Sequence, residues 1–170
     1  MSIPFKDLAG VEPTATAGYL KFLPWATKDT WLGALFIINA RGEPLEFAHA
    51  RVCSPNRLLW RADLLEMRCQ ASLTASLLKA CPAMPALILC LSNELCPSLF
   101  GEYLRMEPPV VRVAQDERSE DVAAKWVSEP DPVSPSGSLF KLLSTRRLLL
   151  EPFERAEAGL RQVYSELLKR

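Results

Sequence analysis

Histidine occurs once among the 170 residues and glycine only seven times, and these two scarcities remove several function classes. With so few glycines, neither G-x-G-x-x-G nor G-x-x-x-x-G-K-[ST] is present, so phosphate-cradling loops of the dinucleotide and P-loop kinds have no sequence support. There is no G-x-S-x-G elbow for a hydrolase nucleophile. His49 would have to serve any Cys/His pair, and Cys53 lies four residues along the same expected strand, too far for direct contact in extended chain. The five cysteines (Cys53, Cys69, Cys81, Cys90, Cys96) contain no close C-x2-C pair, which argues against structural zinc. These patterns lead us to expect no metal and no cofactor. Long apolar runs are also missing. The longest, at 33–38, 86–91 and 148–150, fall well short of the roughly 20 residues that span a bilayer. The opening MSIPFKDLAG lacks the uninterrupted apolar stretch of a signal peptide. Net charge is nil, twenty Lys and Arg offsetting twenty Asp and Glu, so no global field draws the chain to nucleic acid or membrane. The expectation is a reduced, cytoplasmic protein with no membrane partner.

What is present is the material of one globular domain: 49% hydrophobic and 24% charged residues. The fourteen prolines exceed the usual share of about 5% and mostly mark element ends. Residues 1–17 hold no sustained period and read as an irregular lead-in. A short strand is expected at 19–23, closed by Pro24 and therefore placed at an edge or strand end. The run LGALFIIN at 32–39 has the composition of a buried strand, Ala40-Arg41-Gly42-Glu43 supplies turn chemistry, and 45–53 returns, giving an antiparallel hairpin. RLLWR at 57–61 follows as a third short strand. Asp63 with Glu66 three positions on forms a capping-box pattern, and Leu64, Met67, Ala71, Thr74, Leu78 and Cys81 mark one helical face, ended by Pro82 and Pro85. ALILCL at 86–91 fits a strand buried on both faces, and 110–113 a further one.

The stretch 115–137 changes character: Asp116, Glu117, Glu120, Asp121, Glu129 and Asp131 face only Arg118 and Lys125, and prolines follow. It reads as an acidic linker or loop dividing an α/β core (18–114) from a C-terminal helical segment (138–170). In that segment Pro152 suits a first helical position, and Phe153, Ala156, Leu160, Val163 and Leu167 keep a regular stripe. Glu151–Arg155, Glu157–Arg161 and Glu166–Arg170 are correctly oriented i,i+4 pairs. The fold class is thus α/β: a mixed sheet opened by an antiparallel hairpin, a central helix on one face, and an amphipathic C-terminal helix that packs on the core or on a partner.

Three constellations bear on chemistry. His49 is expected as a half-buried, hydrogen-bonded histidine beside the core. Arg57 and Arg61 flank Trp60, with Arg51 expected to meet Arg61 across paired strands, a cation–aromatic combination suited to nucleic acid. Hairpin, short strand, helix and buried strand follow one another over 33–94, with Asn39 in FIINARG, Glu66 in DLLEMR and Asn93 in LCLSNE. This order resembles the first half of the ribonuclease H-like fold. The resemblance implies an acid on the first strand, one on the first helix and one at the end of the fourth strand, together holding divalent metal. Two of the three matching positions here carry amides, poor ligands for a hard cation.

The function expected on these grounds is a non-catalytic accessory subunit within a nucleic-acid-processing complex. It would bind a protein partner through Phe153, Leu160, Val163, Tyr164 and Leu167. One alternative is a metal-dependent nuclease of ribonuclease H-like fold with a rearranged acidic site at Glu43, Glu46, Glu66 and Glu94. The other is direct nucleic-acid binding through Arg51, Arg57, Trp60 and Arg61.

Overall fold

The computed structural model of the chain describes residues 1–4, 15–25, 29–116 and 121–168. Among these, seven strands form one mixed sheet: β1 (Ser2–Pro4), β2 (Ala17–Trp25), β3 (Thr30–Ile38), β4 (Pro44–Cys53), β5 (Leu87–Leu91), β6 (Val110–Gln115) and β7 (Val122–Trp126). Their spatial order is β1-β4-β3-β2-β5-β6-β7. Helix α1 (Ala62–Ala80) covers one face, while α2 (Pro135–Thr145) and α3 (Glu151–Val163) cover the other, followed by the short α4 (Ser165–Leu168). The expected α/β class, opening hairpin, central helix and amphipathic C-terminal helix are all present. No helix among the described residues is long and apolar enough to cross a membrane.

Strand periodicity divides the core in two. Tyr19, Leu32, Ala34, Phe36, Phe47, Leu89 and Val113 meet Leu139, Leu143, Phe153, Ala156 and Leu160 from α2 and α3. Leu20, Phe22, Leu35, Ala48, Ile88 and Cys90 meet Met67, Leu73 and Leu77 from α1 on the opposite face. Alternate residues of each strand point to opposite faces, so strands covered on both sides must be apolar throughout. TWLGALFII of β3 and LILCL of β5 satisfy that requirement. The β3–β4 turn is held by Asn39, whose Oδ1 accepts from the backbone N–H of Arg41 (2.9 Å) and Glu43 (3.1 Å), and by Gly42 at φ 84°.

Several expectations give way. The strand at 19–23 is neither short nor peripheral: β2 runs nine residues, pairing antiparallel with β3 from Ala17↔Ile38 to Trp25↔Thr30 and parallel with β5 from Ala17↔Leu87 to Leu20↔Cys90. The lead-in contributes β1, which pairs with β4, while 5–14 lies outside the described residues. Arg57–Leu59 is one 3-10 turn instead of a strand, because Asn56 Oδ1 caps Leu58 N–H at 3.0 Å. Helix α1 starts at Ala62, so Asp63 lies inside it and pairs with Arg61 instead of forming a capping box. Its buried residues are Leu65, Met67, Cys69, Gln70, Leu73, Thr74 and Leu77, so Met67 and Thr74 of the expected face are buried, while Leu64 is exposed. Within 115–137, β7 pairs antiparallel with β6 and Trp126 stacks edge-on against Phe140 at 5.0 Å, so this stretch is in part an edge strand of the sheet.

The C-terminal helix corrects the expected partner surface. Phe153 and Leu160 are 3% and 0% exposed because they pack on the chain's own sheet, where Phe153 meets the Tyr19 ring edge-on at 5.1 Å. Tyr164 is half-buried, its hydroxyl 3.0 Å from His49 Nδ1, which gives His49 the hydrogen-bonded place expected for it. Val163 is exposed, and the Leu167 side chain lies outside what is described. The buried part of the stripe, Phe153, Ala156 and Leu160, is thus covered by the chain's own sheet.

Candidate functional site at the carboxyl edge of the sheet

Strand β2 is where the sheet changes sense, antiparallel to β3 on one side and parallel to β5 on the other. In open α/β sheets, ligands bind outside the carboxyl ends of strands at such switch points. Here that edge gathers the end of β2, the residues after β5, the start of α1 and the inner face of α3.

Its centre is Lys21. Burial alone disfavours an ammonium, yet the Lys21 side chain is only 7% exposed, in the middle of YLKFL. Two carboxylates explain this: Lys21 Nζ donates to Glu94 Oε1, three residues beyond β5, and lies 2.9 Å from Glu157 Oε2 on α3. Burial pulls the Lys21 pKa down, and the hydrogen bonds and charges of the two glutamates overcome it, leaving a net upward shift. The Lys21 hydrogen bond holds the Glu157 carboxyl below its ordinary range, aided by Arg161, which donates to the other carboxylate oxygen at 2.7 and 2.9 Å. A polar brace joins this group to α1: Gln70 Nε2 donates to the Glu94 carbonyl (2.6 Å), and Gln70 Oε1 accepts from Cys96 N–H (2.9 Å). Glu66 lies 3.4 Å from the same Gln70 amide nitrogen.

The four glutamates of the rearranged acidic site are divided by this geometry. Glu66 and Glu94 come to the carboxyl edge through Gln70. Glu43 and Glu46 lie at the opposite end: Glu46 faces Ile37 on β3, beside the start of β2, and Glu43 is bonded to Asn39 in the hairpin turn. The resemblance stated above places its first acid on the first strand. With Arg57–Leu59 a turn, and the three-residue edge strand β1 set aside, the strands leading into α1 are β2, β3 and β4, so the first of them is β2 and not the one ending at Asn39. Strand β2, AGYLKFLPW, contains no acid, and its charged residue is Lys21. The residues therefore do not fit the divalent metal that the resemblance implies. Among the described residues no group of three or more His, Cys, Asp or Glu side chains is placed to hold a metal ion.

The cationic–aromatic set is adjacent. The turn before α1 presents Leu58, Leu59 and Trp60 at 91%, 82% and 37% exposure. Arg57 is exposed and bonded to Asp29 (2.6 Å) and Arg61 is bonded to Asp63 (2.7 Å), whereas Arg51, exposed on β4 opposite Leu32, lies on the α2/α3 face and is not brought to this corner. The cation over the Trp60 ring is Arg68 of α1, with Cζ 4.9 Å from the centroid. Sequence reasoning missed it, since Arg68 lies on the helix and Trp60 on the preceding turn, with no shared period. Trp31, Arg57, Trp60, Leu65 and Glu66 line a shallow cleft at this corner.

No protein-family model matches the chain, and no curated protein sequence matches it. Among solved structures it is similar to Endonuclease V from Streptomyces avermitilis, with a TM-score of 0.59 and 18% identity over 97% of this chain and 88% of that one. Endonuclease V from Bacillus subtilis matches at a TM-score of 0.38 and 12% identity, over 59% of this chain and 44% of that one. The likeness to the Streptomyces protein is one of fold. It overturns the accessory-subunit reading, whose proposed docking helix is packed against its own sheet.

Proposed function

We propose that the chain binds nucleic acid along the carboxyl edge of its sheet, using the exposed turn 57–60 and the first turns of α1 as the contact surface. The observation that carries this is the Arg68–Trp60 stack beside two nearly fully exposed leucines, on a chain whose fold resembles an endonuclease. Aromatic faces and guanidinium planes stack on bases regardless of sequence, and exposed apolar side chains gain by being covered. Arg57 and Arg61 supply phosphate contacts around the aromatic centre, exchanging Asp29 and Asp63 for phosphate on binding. The test is fluorescence anisotropy with a labelled single-stranded oligonucleotide at 50 and 200 mM salt. Stacking contributes about 1–3 kcal/mol per base, so Trp60→Ala should weaken binding about 5- to 150-fold. Affinity should fall with salt at roughly 0.7 log units per log unit for each phosphate contacted. No binding at low salt removes this reading.

A second reading, phosphodiester hydrolysis at Glu66 and Glu94, is favoured by the likeness to Endonuclease V and by Gln70, whose amide nitrogen lies 3.4 Å from the Glu66 carboxylate and 2.6 Å from the Glu94 backbone carbonyl. Incubating the same oligonucleotide with protein and Mg²⁺ or Mn²⁺ separates the two. Cleavage lost in Glu94→Gln supports hydrolysis, and an intact strand retained in complex supports binding.

A further inference from the structure

We propose that the Lys21 ammonium is a built-in counter-cation. It neutralises Glu94 and Glu157 at the position where the fold resemblance puts a divalent metal, so the carboxyl edge of this protein takes no divalent ion. This goes beyond the binding reading and does not depend on it; it stands against metal-dependent hydrolysis at Glu66 and Glu94, so Mg²⁺- or Mn²⁺-dependent cleavage lost in Glu94→Gln would overturn it.

Position comes first. Lys21 follows Leu20, which pairs with Cys90, so it stands beside the last residue of β5, and Glu94 reaches back to it from just beyond that strand. Saturation comes second. Glu157 uses one oxygen for Lys21 and the other for Arg161, and Glu94 uses Oε1 for Lys21. Glu94 Oε2 is the one carboxylate oxygen among the described residues that is buried without a hydrogen bond. It offers a single ligand where Mg²⁺ demands about six oxygens in near-octahedral array. Charge comes third. Two cations, Lys21 and Arg161, balance Glu94 and Glu157, Glu66 being the further carboxylate at this edge, and an ion reaching Glu94 would have to approach an ammonium already bonded to it. A hard divalent ion needs concentrated negative charge, and here that charge is already neutralised within the protein.

The test is Mn²⁺ binding to the intact chain, read by loss of the free-ion EPR signal, with Tm measured in EDTA and in 5 mM Mn²⁺. Wild type should bind no Mn²⁺ in the millimolar range and melt at the same temperature in both buffers. Lys21→Gln, which removes the ammonium and leaves both carboxylates, should bind Mn²⁺ at least tenfold more tightly than wild type. Saturable Mn²⁺ binding to wild type that Glu94→Gln removes overturns the proposal, as does a folded Lys21→Gln that binds no better than wild type. Should Lys21→Gln fail to fold, ¹³Cε-lysine NMR on wild type and Glu94→Gln decides. The Lys21 resonance should titrate above 10.5 in wild type and lower in the variant. A Lys21 titration that Glu94→Gln leaves unmoved overturns the counter-cation role.

Discussion

Replacing Gly159 by alanine separates two accounts of α3 by the sign of the effect. On a helix free of its own sheet the change is favourable, since alanine is preferred over glycine in a helix interior by about 1 kcal/mol. In the packed structure a Cβ on residue 159 would lie 2.7 Å from Phe47 Cζ, 3.0 Å from Cε2 and 3.3 Å from Cε1. The ring has little room to withdraw: Phe47 is 6% exposed, with the Phe36 ring centred 6.2 Å away and the His49 ring 6.1 Å away. Forcing a methyl into a close-packed site costs about 1–3 kcal/mol, and three ring atoms within contact put this site in the upper half of that range. After subtracting the propensity gain, Gly159→Ala should destabilise by about 1–2 kcal/mol, which for a chain of this length lowers Tm by about 3–6 °C. Differential scanning calorimetry measures the shift. Phe47→Leu removes the ring atoms that the methyl strikes. In the Phe47→Leu background the added alanine should therefore cost little, a non-additivity expected of residues in contact. A higher Tm for Gly159→Ala alone would refute the packing of α3 on its own sheet.

The charged centre gives stability a pH window. Because Glu157 titrates below its ordinary 4.5 when folded, its contribution is complete above that value and is lost as pH falls through the folded pKa. Lys21, raised above 10.5, contributes fully below that value and loses its contribution as pH rises through the folded pKa. Urea midpoints should accordingly plateau at neutral pH and fall on both sides, and Glu157→Gln should flatten the acid limb; an unchanged acid limb in that variant would contradict the pairing. Among the thiols, burial pushes Cys90 up to about 12, Cys81 and Cys96 up to about 11, and Cys69 upward, whereas Cys53 is exposed on β4. An aromatic disulfide reagent at pH 8 should meet one fast thiol in native protein, abolished in Cys53→Ser, and a fast class that survives the substitution would be inconsistent with this burial pattern.

The β3–β4 hairpin, β5 and α3 were legible because their signals are local: an apolar run, a turn with glycine at positive φ, a 3-4 stripe after a proline. Strand β2 was not, because its central place depends on β5, some seventy residues away, and its own sequence ends in Pro-Trp with a lysine in the middle. The α1 face came out displaced, with only Met67 and Thr74 shared, because Leu64 and Leu65 are equally apolar while the true buried face includes Gln70, a polar residue that periodicity counts against it. Strand β7 was hidden in an acidic stretch because an edge strand with exposed Ala123, Ala124 and Lys125 needs no hydrophobic alternation. The same reasoning locates the signal for the site itself. A single lysine inside YLKFL is an unpaired charge in an otherwise apolar strand, and a buried ammonium requires acidic partners from elsewhere in the chain. Glu157 and Arg161 looked like a solvated i,i+4 pair, worth a few tenths of a kcal/mol at most by about the usual measure. In the folded chain only one Glu157 oxygen faces Arg161, and the other turns inward to Lys21. The ion pair on the helix surface and the stranded lysine in β2 are thus two ends of one charge-balanced group, and that group ties α3 to the strand at the switch point of the sheet.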